Sequence, residues 1–407
     1  SLRNERLKMS SIRNSIKILC YMGFWKPDGI SKTQNSLYIF WSIINFMMLL
    51  GNMFNNFIKL GCLLIDLFMV WGNLPLMTAT AFLLFTNLAH TTKIANVVWR
   101  KNDIQRIIDN TNAVLDAVDT DEAKDIVKKN NHETAFLQGF YFVLTTITVA
   151  GWAGSSEKNQ LPLRAWYPFD TTISPNYELT YTHQVCALFV DAYLNIAKDT
   201  LVATLAAQCR CRLQLINLQL KNIHQGIGLN EDSHVSEGNL TSAKIYKNKI
   251  ITSKLKNCIK QHQDVLATVA EVQRCFSAPT FAQFTVSLVI ICVTAFQLSS
   301  QLGNALRLIS MTTYLLNMSY QVFIYCYQGD LLRDESTKIT EYAYECLWYR
   351  SSISFRRSLL NIMMRSHRPA VLNAGGFTKL SLQSFMGIIK ASYSFFTVLQ
   401  QVDAGTH

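Results

Sequence analysis

For much of this chain, apolar residues neither alternate nor recur at a helical period. They run on for about twenty residues at a time, as helices that are apolar all round do. A bilayer core of about 30 Å is crossed by about 20 such residues. Runs of that kind predict spans near 37–57, 62–88, 133–153, 179–206, 278–300 and 303–328, with a seventh at 378–401 that carries Lys390. Helical periodicity returns between the runs. Residues 7–22 set Ile12, Ile16, Leu19 and Met22 on one face, opposite Arg13 and Lys17, which predicts an amphipathic helix on the inner membrane surface. The charged, helix-patterned stretches 241–275 and 331–366 are expected to extend spans four to seven into an intracellular helical layer. Residues 225–240, rich in Gly, Asn and acids, read as a mobile loop.

Charge then orients the spans. Counting Lys198 and Lys379 at span ends, 33 of the 38 Lys and Arg residues fall on one side, while Lys59, Lys158 and Arg164 fall on the other. Basic residues collect on the cytoplasmic side. The N-terminus is therefore expected inside and, after seven crossings, the C-terminus outside. That orientation is inverted relative to G-protein-coupled receptors, and neither D-R-Y after span three nor N-P-x-x-Y in span seven is present. The sequons at Asn239 and Asn317 fall in cytoplasm and in span six, where they are not expected to be glycosylated.

Composition supports this picture. The chain is 49% hydrophobic and 16% charged, against roughly 25% charged in soluble domains. A net charge of +11 comes with no nucleic-acid-binding pattern. The ten cysteines show no zinc or disulfide spacing, and no cleavable signal peptide is expected before the first deep apolar run. No H-E-x-x-H, G-x-S-x-G or phosphate-binding glycine loop appears, so neither an enzyme nor a cofactor is expected. A transporter would call for an inverted repeat, and none is visible.

Three stretches carry a resemblance. They are QLPLRAWYPFDTTISPNYELTYT at 160–182, CLWYRSSISFRRSLLNIMMRSHRPAVLNAGGF at 346–377, and LSLQSFMGIIKASYSFFTVLQQV at the end, within which KASYSFFTVL is the most specific. They resemble the second extracellular loop, the last cytoplasmic region and the terminal span of insect odorant receptors. The resemblance implies an odorant-specific subunit of a ligand-gated nonselective cation channel. Such a subunit works in a heterotetramer with a shared olfactory co-receptor, in the plasma membrane of sensory neurons, and opens on a small volatile odorant. It implies an all-α integral membrane fold of seven transmembrane helices with inverted topology and an intracellular anchor layer. The expected divisions are a cytoplasmic segment at 1–36, spans one to six with the ligand pocket at 37–328, an anchor helix at 329–377, and the pore-lining span with an extracellular C-terminus at 378–407. Membrane lipid is an expected partner; nucleic acid is not. The loop after span four lacks the long co-receptor insertion. Ser394-Phe395 and Gln401-Val402 depart from the T-Y and Q-F signature of gustatory receptors, which, as homomeric channels, are the alternative reading.

The resemblance aligns Val398 with a hydrophobic gate and Gln401 with a polar ring beside it. Gly387, Ala391, Ser394, Val398 and Gln401 share a helical stripe, which suits a pore or helix packing. Lys390 lies close to that stripe, placed either in the pore vestibule or snorkelling to the inner interface. The resemblance puts an apolar ligand pocket in the outer half of the bundle. Its expected lining is Phe68, Met69 and Gly72 on span two and Tyr141, Thr145, Thr148 and Trp152 on span three. Phe189, Tyr193 and Ile196 on span four and Met311, Tyr314 and Met318 on span six complete it. Arg307 is expected to pair with Asp66 or Asp191.

Overall fold

The computed structural model describes residues 10–26, 33–45, 74–154, 173–225, 237–300 and 305–405, with isolated positions between them. The architecture is all-α, as expected. Its helices are α1 (Ser10–Tyr21), α2 (residues 33–45), α3 (Leu74–Trp99), α4 (Lys101–Asp116), α5 (Asp121–Gly154), α6 (Asn176–Lys221), α7 (Glu237–Ser300), α8 (Ala305–Thr337), α9 (Ile339–Glu345), α10 (Ile353–Ser366) and α11 (Leu382–Gly405). Among the described residues, strand is confined to the two-residue antiparallel pair β1 (Asn373–Ala374) and β2 (Thr378–Lys379).

Helix α5 shows what surrounds the bundle. Asn130, Thr134, Gln138, Tyr141, Thr145 and Thr148 recur at helical spacing and are buried. Phe136, Phe140, Val143 and Ile147 recur on another face and are exposed. In water this arrangement would be inside out. Lipid as the outer solvent makes it stable, because apolar side chains then face apolar chains and polar ones find partners within the bundle.

Helix α6 is the central post. Every residue from Leu194 to Leu213 is buried, as a helix surrounded on all sides requires. The helices extend well past a bilayer. The 64 residues of α7 span about 96 Å at 1.5 Å per residue, so the expected inner helical layer is present. It has polar joints: Arg210 donates to both carboxylate oxygens of Glu133 at 3.1 and 2.9 Å, and Asn217 donates to Glu335 at 2.7 Å.

Three features differ from the sequence reading. Residues 89–132, which the expected spans leave between them as a connection, hold the end of α3, all of α4 and the first turns of α5, and Ile104, Ile107, Ile108 and Leu115 form a buried face. The stretch read as a mobile loop becomes helix from Glu237 onward, and 226–236 lie outside the described residues. The apolar face of α1 meets protein rather than lipid: Ile12 and Leu19 are buried, and Ser15 Oγ lies 2.9 Å from Thr200 Oγ1 of α6.

The β1–β2 turn fixes where α11 begins. Gly375 and Gly376 have φ of +62° and +78°, a conformation that glycine adopts at little cost. Asn373 exchanges two hydrogen bonds with the Gln273 side chain, 2.7 and 2.8 Å, and Gly375 N–H donates to Ser277 O at 3.0 Å. A Cβ at Gly375 would come within 2.7 Å of the Phe281 ring. The turn is thus pinned to α7, and α11 leaves from there.

His262, in the inner-layer part of α7, is buried, and Nε2 has no hydrogen-bond partner among the described residues. Burial, with a smaller contribution from Arg365, lowers its pKa to about 4. Its unfolded pKa is about 6.5, so between those values the unfolded chain binds the proton that the folded chain refuses, and stability falls as pH falls. Thermal melts of solubilised protein at pH 7 and pH 5 should show a smaller acid-induced drop in Tm for His262→Leu than for the native chain. Equal drops would remove His262 from the pH response.

Candidate functional site: a buried polar node beneath the expected ligand stripe

The expected ligand stripe on α5 divides between neighbours. Thr145 Oγ1 donates to Asn317 Oδ1 of α8 at 3.0 Å, both side chains being buried. Thr148 caps back onto Leu144 O at 2.8 Å, and Trp152 is half-buried. Gly151 lets α8 approach closely here, since a Cβ would lie 2.5 Å from Ser310 Oγ. Tyr193 of α6 meets an adjacent face of α5, with Phe189 beside it on α6. The Tyr193 ring stacks on Phe142 at 4.8 Å, its hydroxyl is 3.3 Å from Thr146 Oγ1, and Phe189 sits 5.9 Å from it.

On α8, Met311 is buried, and Tyr314 OH lies 3.5 Å from Thr86 Oγ1 of α3. Met318 is buried in a small apolar cluster with Ala89, Val286, Ile290 and Ile291, against which Tyr314 and Ile389 pack. Tyr314 and Met318 therefore share one cluster, while Thr145 meets α8 through Asn317. Ile196 is buried. Phe68, Met69, Gly72 and Asp66 lie outside the described residues, as does the Arg307 side chain. Asp191 has a different close partner, His90 Nδ1 at 2.6 Å.

Tyr141 leads to the feature that the sequence reading missed. Its hydroxyl donates to Asp199 Oδ2 at 3.0 Å. Asp199 is fully buried and also accepts from Lys93 Nζ at 2.6 Å, from Tyr325 OH at 2.8 Å and from Gln321 Nε2. A carboxylate offers about four acceptor sites, and here four donors from α3, α5 and α8 occupy them. Lys93 additionally donates to Asn195 Oδ1 at 3.1 Å. Lys198, on the next residue of α6, is buried with no hydrogen-bond partner for Nζ among the described residues. The signal was available: the stretch 179–206 carries Asp191, Lys198 and Asp199, and ionisable residues inside a span mark function by default. Counting Lys93 and Lys198 only as orienting charges hid it.

The α11 stripe stands apart from this packing. Gly387, Ser394, Val398 and Gln401 of the stripe and Lys390 beside it are exposed on the single chain and Ala391 is half-buried, whereas Ser392 is buried, its hydroxyl lying 3.1 Å from Leu288 O of α7 and 2.9 Å from Ile388 O of its own helix. Elsewhere, a cavity of about 670 Å³ lies in the inner layer between the α4–α5 turn, α6 and α7, with Arg212 and Cys258 in its wall. It contains none of the expected ligand residues.

Removing one member of a buried ion pair strands the other, at a cost of about 3–5 kcal/mol. Lys93→Met should accordingly lower the melting temperature and folded yield of solubilised protein sharply. Adding Asp199→Leu should recover part of the loss. A Lys93→Met protein that melts like the native one would mean that Asp199 does not depend on its cation.

Comparison with known proteins agrees with this architecture. The family described as 7tm Odorant receptor matches residues 73–393. Odorant receptor Or1 of Anopheles gambiae is 23% identical over 406 residues, 96% of this chain and 95% of that receptor. Odorant receptor 63a of Drosophila melanogaster is 36% identical over 151 residues, 37% of this chain and 36% of that receptor. In three dimensions the chain is similar to the insect olfactory receptor OR5 from Machilis hrabei in complex with eugenol. The TM-score is 0.76 at 16% identity, covering 96% of this chain and 97% of that one. A helical bundle with apolar side chains on its outer surface, this fold and these relatives is a multi-pass membrane receptor, and the chain belongs to the insect 7tm odorant receptor family.

Proposed function

We propose that this odorant receptor is the odorant-binding subunit of a ligand-gated, nonselective cation channel. It assembles as a heterotetramer with a shared co-receptor in the plasma membrane of sensory neurons and opens on a small, mostly apolar volatile. The observation that carries the reading is the surface of α11. Its one buried face holds the helix to α7 through Ser392, while Gly387, Lys390, Ser394, Val398 and Gln401 form an exposed stripe of small and polar residues. Polar side chains on a membrane helix need water or a neighbouring subunit, and a central pore supplies both. Val398 is the apolar residue in that stripe and suits a gate that closes by dewetting.

The proposed divisions are an inner segment at 1–36, spans one to six at 37–328, an anchor at 329–377 and the pore span with an outer C-terminus at 378–407. The proposed odorant contacts on the described helices are Thr145, Thr148, Trp152, Met311, Tyr314 and Met318, with Phe189, Tyr193 and Ile196 on α6. Tyr141 joins them by its ring, since its hydroxyl is held by Asp199. Phe68, Met69 and Gly72 are proposed to complete the lining. Aromatic and Met side chains with a few hydroxyls suit a compact apolar molecule able to take one hydrogen bond.

The test is current recording from cells expressing the chain with and without a co-receptor, across a panel of volatiles. Odorant-gated cation current is expected only with the co-receptor; current from the chain alone would favour a homomeric channel. In the responding heteromer, Trp152→Ala should raise the half-maximal odorant concentration roughly tenfold, equivalent to about 1.4 kcal/mol, with surface expression retained. An unchanged dose–response curve would reduce Trp152 to packing.

Lys390 supplies a separate check of the pore stripe. A fixed cation beside the path opposes a divalent ion by about 1 kcal/mol at ~8 Å in water-like surroundings, and salt screens part of that. Lys390→Gln should therefore raise relative calcium permeability a few-fold, read as a reversal-potential shift when external sodium is replaced by calcium. No shift would place Lys390 at the inner interface instead.

A further inference from the structure

The Asp199 node does not end at Asp199. Gln321, which donates to it, accepts through Oε1 from Gln283 Nε2 of α7 at 2.8 Å. The same Gln283 amide donates to Ser287 Oγ at 2.7 Å. The next residue, Leu288, offers its carbonyl at 3.1 Å to Ser392 of α11, whose single hydroxyl proton is shared between it and Ile388 O of its own helix at 2.9 Å. Polar links thus run from α3 and α6 through α8 and α7 to the helix that carries the exposed stripe. Asp199, Gln321, Gln283, Ser287 and Ser392 are each at most 3% exposed.

The other end of this path touches the proposed odorant contacts. Tyr141 is one helical turn from Thr145 on α5, and Gln321 is one turn from Asn317, the partner of Thr145, on α8. A displacement of α8 against α5 caused by a ligand near Thr145 is delivered to Gln321 about 5.4 Å away along a rigid helix. Buried links of this kind do not stretch. A donor and acceptor sealed from water either stay within hydrogen-bond distance or must find another partner, because leaving them unmade is expensive. That gives the path discrete arrangements rather than a continuum.

We propose that the chain Asp199–Gln321–Gln283–Ser287/Leu288–Ser392 positions α11 and sets the equilibrium between its closed and open placements, coupling odorant contacts on α5 and α8 to the pore helix. The proposal rests on the channel reading above. Gln283, Gln321 and Ser392 touch neither odorant nor permeant ion; they act by position. Because one equilibrium governs both quantities, disturbing it must change resting current and apparent odorant affinity together, by a factor that does not depend on which odorant is used.

The experiment uses the full heteromer and two chemically unrelated agonist odorants. It compares native chain, Ser392→Ala, Gln283→Leu and the double variant, normalised to surface density. Each single variant should change the unliganded open fraction and shift both half-maximal concentrations by one common factor of roughly threefold to tenfold, the range expected for one buried hydrogen bond. Higher resting current must accompany lower half-maximal concentration, or the reverse. The double variant should shift by less than the product of the two, since both cut the same path. Ser392→Ala removes one oxygen and decides the matter alone if Gln283→Leu does not reach the surface. Shifts within twofold of native, shifts that differ between the odorants, or independent multiplication in the double variant would each overturn the proposal. A native heteromer with no odorant-gated current overturns the channel reading, and the coupling role falls with it.

Discussion

A carboxylate with no access to water has to be answered inside the protein, and Asp199 imposes that constraint on the whole bundle. Its four acceptor positions are filled by Lys93, Tyr141, Tyr325 and Gln321, so α3, α5 and α8 must each arrive at α6 with one chosen side chain at one height. An apolar core would have tolerated sliding by a turn, since Leu replaces Leu without penalty. A saturated carboxylate does not, because any slip leaves a buried donor or the charge itself unmatched. The all-round burial of α6 from Leu194 to Leu213 follows from the same convergence.

The remaining parts divide between a firm inner layer and α11, a helix held on one side. Inner-layer contacts are bidentate or paired: Arg210 with Glu133, Asn217 with Glu335, Gln273 with Asn373. The glycine turn at 375–376 pins the start of α11 to α7. Farther along, α11 touches its own chain through one face, with Ser392 as the buried polar contact, and leaves the rest to other subunits, water or lipid. A helix anchored at its base and lightly held above it has the freedom that the proposed gating role requires.

Much of this was legible in the residues. Runs of about twenty apolar side chains located α5, α6, α7, α8 and α11, because crossing a bilayer is a requirement on local composition that a sequence must state openly. Charged helical patterns announced the inner extensions of α7 and α8. The boundaries were less visible. The 89–132 segment lies between two apolar runs and announces no span, although Ile104, Ile107, Ile108 and Leu115 give α4 a buried face. The amphipathic pattern of α1 was equally compatible with lipid or protein, and the α6 surface around Thr200 decided for protein.

What the sequence determined by itself was therefore the kind of molecule: a basic-inside, many-span helical protein whose terminal stretches resemble odorant receptors. What only the tertiary structure decided was partnership. Lys93 meets Asp199 across 106 positions, Gln321 meets it across 122, and Asp191 meets His90 across 101. Hydropathy adds up along the chain and can be read without knowing the fold. A hydrogen bond depends on which two side chains packing brings within about 3 Å, and no local sum along the chain contains that distance.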